Sequence, residues 1–106
     1  MNLTYAIVVE QTPNNYAAYA PDVPGCVTTA DSPDAIEAMM REALGLHIEC
    51  MLEDGDPLPE PKLSIEEAIA FHSKALAEYG DPAPTISTTF RLLDVEIAVL
   101  QTTTAS

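Results

Sequence analysis

Two cysteines and two histidines are the side chains in this sequence best suited to hold a zinc ion, and His47 and Cys50 are the best-spaced pair among them. Residues three apart share one face of a helix, so both side chains could reach one ion. A zinc site needs three or four such ligands, however, and no further pair stands nearby. We therefore expect no metal site, with Cys26 and Cys50 as buried apolar thiols.

Carboxylates offer a second kind of chemistry, because Asp22, Asp31 and Glu37 could together hold Mg²⁺ for cleavage of a phosphodiester. The first two have simpler roles, in a turn and beside a helix cap. The sequence also lacks a glycine-rich phosphate loop and a convincing Ser/His/Asp or Cys/His arrangement. We predict no catalytic residue and no cofactor, so the chain is not expected to be an enzyme. Mg²⁺-dependent cleavage of RNA would contradict this prediction.

The charge of the chain restricts its partners, because 17 acidic and four basic side chains give a formal net charge of −13. Nucleic-acid-binding proteins show the opposite balance, since Lys and Arg contact the phosphates. Direct binding of DNA or RNA is therefore not expected, whereas a basic protein would be steered towards this chain. No apolar stretch approaches the roughly 20 residues of a membrane helix. The N-terminus has no signal-peptide pattern, so we expect a cytoplasmic protein.

The candidate residues must be positioned by one small domain, residues 1–106, in which 47% of the side chains are hydrophobic. Residues 3–10 and 16–20 are β-prone on either side of a turn rich in Pro and Asn, which predicts an antiparallel hairpin. Residues 26–29 predict a short third strand, and residues 86–100 predict a last one. The strands therefore lie before and after the helical part of the chain.

Two helices are predicted between the third and the last strand. The first begins after the N-cap Ser32 and ends near residue 54, and the second spans residues 64–79 with a capping box of Ser64 and Glu67. Their apolar positions repeat at helical spacing: Ile36, Met40, Ala43, Leu44, His47, Ile48, Met51 and Leu52 in the first, and Ile65, Ile69, His72, Leu76 and Tyr79 in the second. We interpret these stripes as core, with both histidines packed.

The last strand has apolar residues at both odd-numbered and even-numbered positions, which point to opposite faces of a strand. Four of them share one face: Leu93, Val95, Ile97 and Val99. Phe90 and Leu92 fall on the other, which predicts a bulge near Leu92–Leu93 that would reconcile the two halves. The polar residues 101–106 are expected to fray.

One short stretch combines a rigid bend with the approach to a helix, because residues 19–26 read YAPDVPGC. Pro21 and Pro24 remove two backbone donors, and Gly25 can adopt a positive φ, so the chain turns between two strands there. A second proline-rich stretch, DGDPLPEP at residues 54–61, follows the first helix.

This combination resembles the HicB family of bacterial and archaeal antitoxins. In that family a hairpin is followed by an aromatic-x-Pro-Asp-hydrophobic-Pro-Gly-Cys motif, a short strand and a helix rich in Glu and Ala. The matching positions are Tyr19, Pro21, Asp22, Val23, Pro24, Gly25 and Cys26, with Gly55, Leu58, Pro59 and Pro61 after the helix. The resemblance covers residues 3–61 and fits the final strand. We interpret the motif residues, together with Ser32, as scaffold.

The resemblance implies a partly RNase-H-like α+β fold of order β-β-β-α-(α)-β, with an antiparallel sheet and the long helix on one face. It also implies that the chain binds and neutralises a small basic RNA-cleaving toxin of the HicA type, by covering its RNA-binding surface and catalytic histidine. The candidate contact residues, chosen by charge, are Asp22, Asp31, Glu37, Glu42, Glu49 and Glu53.

Two features depart from the family pattern. Members usually carry a C-terminal DNA-binding module, and none is expected in this sequence, so we do not expect the chain alone to repress its operon. The helix at 64–79 stands where many members have a short link, and it could extend the core, cover a sheet edge or form a dimer interface. The alternative hypothesis is an orphan homo-oligomer, a dimer or tetramer without a toxin and with a regulatory or structural role.

Overall fold

Four strands and two helices follow one another in the predicted order within residues 2–79 and 85–97, which this computed structural model describes. Their bounds are β1 Asn2–Gln11, β2 Tyr16–Tyr19, β3 Val27–Ala30, α1 Pro33–Glu53, α2 Ile65–Tyr79 and β4 Ser87–Glu96. The predicted α+β class and element order are confirmed. The expectations for Val99 and for residues 101–106 lie outside the described residues.

The strands form one antiparallel sheet in the order β3-β2-β1-β4. The hairpin between β1 and β2 is closed by Thr12, whose amide donates to the Asn15 carbonyl at 2.8 Å. β1 and β4 pair from Asn2 opposite Glu96 to Gln11 opposite Ser87 without a break. The predicted bulge in β4 is therefore wrong.

α1 covers one face of the sheet through four buried side chains spaced one turn apart: Ile36, Met40, Leu44 and Ile48. They pack against one parity of the strands, including Tyr5, Ile7 and Val95. Full burial of each large apolar side chain contributes about 1.5–3 kcal/mol, so this layer is the main core.

The prediction that both cysteines are buried is wrong for the one on α1. Cys26 is buried as expected, but Cys50 is exposed. Cys50 lies two residues after the buried Ile48, which is about 200° further around the helix, so its side chain points towards solvent. Leu52, one turn after Ile48, is also 38% exposed, so the apolar stripe predicted for α1 is not buried to its end.

α2 packs on the opposite face, against β1 and β4, and this explains the two parities of β4. Phe90 lies with its ring centroid 5.7 Å from that of His72, so this residue faces a second helix, whereas Leu92 on the same parity is 55% exposed. β1 is consequently buried on both sides from Tyr5 to Val9. The buried residues of α2 are Ala68 and His72, whereas Ile69 and Leu76 of the predicted stripe are exposed. The predicted stripe is therefore wrong at Ile69 and Leu76, while Ile65 is half-buried and His72 is buried as expected.

Candidate protein-binding surface

The bend that joins β2 to β3 is built around one buried side chain. Val23 is 1% exposed, its amide donates to the Ala20 carbonyl at 3.0 Å, and its carbonyl accepts from Cys26 at 3.2 Å. Gly25 has φ +89, a conformation that L side chains rarely adopt. Burial raises the pKa of the Cys26 thiol, so this cysteine is a poor nucleophile at neutral pH.

Asp22, in the same bend, holds the segment between the helices. Its Oδ2 accepts hydrogen bonds from the backbone amides of Lys62 and Leu63, both at 2.9 Å. Nearby, the buried Tyr5 donates its hydroxyl to the Pro59 carbonyl at 2.5 Å. Burial raises the pKa of Tyr5, and the negative charge of Asp22 adds to the shift. The carboxylate of Asp22 therefore has a clear role inside the fold.

A polar cluster lies under α2, where Tyr19, His72 and Glu10 meet. The Tyr19 hydroxyl lies 2.6 Å from Nδ1 of His72, and Nε2 of the same ring lies 3.4 Å from a Glu10 carboxylate oxygen without forming a hydrogen bond. Burial, helped by the charge of Glu10, raises the pKa of Tyr19 to about 12. A phenol held protonated in this way is a weak nucleophile that forms a hydrogen bond with Nδ1, so the cluster is suited to attaching α2 to the sheet rather than to catalysis.

The seam between α1 and β4 is held by an arginine on each element. Glu37 accepts from Arg91 at 2.6 Å and from Arg41 at 3.4 Å, and Nε of Arg41 donates to the Asp94 carbonyl at 3.0 Å. The hydrogen bond from Arg91 is the main reason why the pKa of Glu37 is lowered. Two of the chain's four basic residues therefore form hydrogen bonds within the fold.

Beside this seam, the outer face of α1 and the end of β4 enclose an open groove of about 440 Å³. Its lining residues are Ala38, Arg41, Glu42, Gly45, Leu46, Glu49 and Glu96. Gly45 lies beside the end of β4, where a Cβ would be 4.0 Å from the Glu96 carbonyl oxygen, an ordinary contact. The carboxylates of Glu42 and Glu49, beside Arg41 and the exposed Leu46, make a surface suited to a basic protein segment.

The structure places the acidic residues singled out from the sequence in three different settings. Glu42 and Glu49 line the groove, and Glu37 is linked to it through Arg41. Glu53 is exposed at the end of α1, and Asp31 is exposed before its N-cap, where Ser32 accepts from Ala35 at 3.1 Å. Asp22 holds the interhelical segment.

Several residues of these sites were not identified from the sequence. Glu96 borders the groove at the end of β4, where its backbone carbonyl lies near Gly45, and no side-chain pattern could have indicated this. The pairing of Glu37 with Arg91, 54 residues away, depends on how α1 lies on the sheet, and the sequence carried no signal for it. The same holds for Tyr19 and His72.

Neither a metal centre nor a membrane helix is found in the described ranges. Across residues 2–79 and 85–97, no three His, Cys, Asp or Glu side chains are grouped so as to hold a metal ion. Neither described helix is long and apolar enough to cross a bilayer.

Comparison with known proteins links this fold to toxin–antitoxin systems. The model of a family described as "HicB_like antitoxin of bacterial toxin-antitoxin system" matches residues 5–103. An uncharacterised 14.9 kDa protein from the rep-hol intergenic region of Haemophilus phage HP1 is 38% identical over 58 residues. That match spans 55% of this chain and 44% of the phage protein, so this chain matches less than half the length of that relative.

Solved structures give the same result over more of the chain. A chain of the HicA3 and HicB3 toxin-antitoxin complex is 28% identical, with a TM-score of 0.63 and coverage of 92% of this chain and 100% of that one. A toxin-antitoxin complex from Streptococcus pneumoniae has a TM-score of 0.76 at 17% identity, covering 91% and 70%. The N-terminal domain of the Burkholderia pseudomallei antitoxin HicB has a TM-score of 0.65 at 23% identity, covering 90% and 100%. The last two likenesses concern the fold alone.

Proposed function

The chain belongs to the HicB-like antitoxin family, and we propose that it binds and neutralises a small basic RNA-cleaving toxin of the HicA type. It does so by covering the toxin's RNA-binding surface, as an acidic substitute for RNA. Both proteins act in the cytoplasm, where the toxin meets its RNA.

The observation that carries this proposal is the acidic groove between α1 and β4. Glu42 and Glu49 line it, and the whole chain bears −13, so a basic protein is attracted from a distance and meets carboxylates on contact. Leu46, 58% exposed, supplies apolar area at the same place. Complementary charge sets encounter rate and specificity, and the apolar contact slows dissociation.

The chain acts by binding and not by catalysis. The residues that could do chemistry have structural roles instead. Cys26 is buried, Asp22 accepts hydrogen bonds from two backbone amides, and Tyr19 forms a hydrogen bond with His72. The same negative charge disfavours direct contact with nucleic acid.

The test uses this chain and the small basic protein encoded beside it. We would measure their affinity by calorimetry and the toxin's RNase activity with and without this chain. A stoichiometric complex that abolishes cleavage is expected. The double variant Glu42→Gln/Glu49→Gln should lower the association rate about tenfold at low salt, and added salt should shrink the difference.

The matched control removes two exposed carboxylates that do not line the groove, Glu60 and Glu66, also by Gln substitution. It changes net charge equally and should have a much smaller effect. Equal effects of the two double variants would show that only overall charge matters. Failure of the wild-type chain to bind or inhibit the basic protein would contradict the proposed function.

A further inference from the structure

The groove between α1 and β4 is formed mainly by one helix. Six of its seven described lining residues belong to α1, and they lie at the spacing of a single helix face: Ala38, Arg41, Glu42, Gly45, Leu46 and Glu49. From residue 38 to residue 49 this face is about 16 Å long, or three turns. A segment that fills the groove therefore lies along a helix.

The outer side of α1 also repeats every seven residues. The repeating pairs are small, apolar and acidic in turn: Ala38 with Gly45, Met39 with Leu46, and Glu42 with Glu49. The apolar pair is 42% and 58% exposed, so the described fold leaves it uncovered. A seven-residue repeat is the spacing at which one α-helix packs along another at a small angle, and small side chains shorten the distance between the axes. The pattern favours a helix as the occupant.

The charge of the groove decides which helix fits. Glu42 and Glu49 line it, and Glu53 continues the acidic row at an exposed position one turn further on. Arg41, the basic residue among the described lining, already donates hydrogen bonds from Nε and Nη2 within the fold. A second copy of this chain would bring the same carboxylates, and nucleic acid or an anionic membrane would bring phosphates, so these occupants are repelled. A basic helix is attracted.

An extended segment could instead add a strand to the outer edge of β4. Only Glu96, at the end of β4, belongs to the described lining, so a strand in the groove would lie against helix side chains and gain few backbone hydrogen bonds. An amphipathic helix needs no such partners, because its backbone groups are satisfied internally. The lining therefore favours the helix over the strand.

We propose that the groove binds an amphipathic α-helix of the toxin, about three turns long. Its apolar side chains pack over Ala38, Gly45 and Leu46, and Lys or Arg residues beside them, spaced about seven positions apart, meet Glu42 and Glu49. This rests on the proposed function and adds the kind of segment that binds and the spacing of its contacts.

Amide hydrogen exchange distinguishes a helix from a strand in the complex of this chain with the small basic protein encoded beside it. A strand added to β4 would slow exchange of amides in residues 87–96 about tenfold or more, through new backbone hydrogen bonds. A helix contacts α1 through side chains, so these amides should exchange at nearly the same rate with and without the basic protein. Exchange should slow along one helix of that protein instead.

Two substitutions test the contacts. Ala38→Gln places a longer side chain between the helices and should raise the Kd of the complex about tenfold. Leu46→Ser removes apolar contact and should raise the dissociation rate about tenfold, with little change in the association rate. The matched controls on α2 are Ala70→Gln, at an exposed alanine, and Ile69→Ser, at an apolar residue that is 41% exposed. Neither should alter binding, and circular dichroism should show an unchanged fold in all four variants.

Weaker binding by Ala38→Gln and Leu46→Ser, with unchanged controls and no new protection in β4, supports the proposal. New protection along β4, or binding that both groove variants leave unchanged, would overturn it, while inhibition of the basic protein by the wild type still upholds the proposed function. A wild-type chain that neither binds nor inhibits the basic protein contradicts the proposed function and, with it, this inference.

Discussion

Tyr19 on β2 and His72 on α2 are joined by a contact of 2.6 Å between the phenol oxygen and Nδ1. The two residues are 53 positions apart in the sequence, and the contact lies where α2 crosses the sheet. The Phe90 ring packs edge-on against the same imidazole, with centroids 5.7 Å apart. α2 buries only Ala68 and His72 among its described side chains, so a large share of its attachment depends on this one polar contact.

Tyr19→Phe should lower the free energy of unfolding by about 1–2 kcal/mol, because a hydrogen bond is lost and Nδ1 of a buried imidazole is left without its partner. Urea denaturation followed by circular dichroism measures this. Tyr16→Phe is the control, since the Tyr16 hydroxyl makes no hydrogen bond within the described residues, and it should change stability little. Equal effects of the two substitutions would show that the contact with His72 does not stabilise the fold.

The raised pKa of Tyr19 predicts a loss of stability in alkali. A tyrosine titrates near 10 when unfolded, and burial with the charge of Glu10 raises the pKa of Tyr19 to about 12 in the fold. Its contribution is therefore fully present below pH 10 and is lost as the pH rises towards 12. Unfolding free energies between pH 9 and about 12 should fall more steeply for the wild type than for Tyr19→Phe. Parallel curves would contradict the assignment.

Asp22→Ala should release the segment between the helices. Two backbone amides, of Lys62 and Leu63, lose their acceptor, and the expected cost is about 1–3 kcal/mol. Amide hydrogen exchange at these two residues should accelerate, while Asp22→Asn, which keeps a carbonyl acceptor, should be intermediate. Asp31→Ala, at an exposed position, serves as the control. Unchanged exchange in Asp22→Ala would refute this role.

The lowered pKa of Glu37 predicts a contribution to stability that acid removes. A carboxyl whose pKa is lower in the folded state than in the unfolded state stabilises the fold at pH values above its unfolded pKa, which is near 4.5. This stabilisation is lost as the pH falls through the pKa of the folded state. The pair with Arg91 is more than one third exposed, so Glu37→Gln should cost less than about 1 kcal/mol at pH 7. In urea titrations the difference should shrink as the pH is lowered from about 4.5 through the folded pKa of Glu37. Glu60→Gln is the exposed control, and a difference that persists in acid would mean that packing, not charge, is responsible.

The sequence predicted local structure well and long-range side-chain pairs poorly. Ser32 and Pro33 start α1 as expected, because capping depends on neighbours in the chain. The sequence also showed that β4 has apolar residues on both of its faces. The bulge was inferred from this because only one face of the sheet was expected to be covered by a helix. The way in which α2 crosses the sheet decides which of its residues are buried. One of them is Ala68, whose small side chain does not stand out in a helical pattern of apolar residues. The partners of Glu37 and Asp22 likewise depend on tertiary packing alone.

Gly45 offers a test of the groove that does not alter charge. Its backbone is helical, and a Cβ there meets only the Glu96 carbonyl oxygen at 4.0 Å, an ordinary contact. Gly45→Ala should therefore raise the free energy of unfolding by about 1 kcal/mol through helix propensity, seen as a higher Tm. Gly55→Ala is the matched control with the opposite sign, because Gly55 has φ +80 at the end of α1, where Ala is strained. A longer side chain, in Gly45→Gln, would project into the groove and should weaken toxin binding while the fold persists. Undiminished binding by Gly45→Gln would exclude the groove as the toxin site, whatever the stability of the variant.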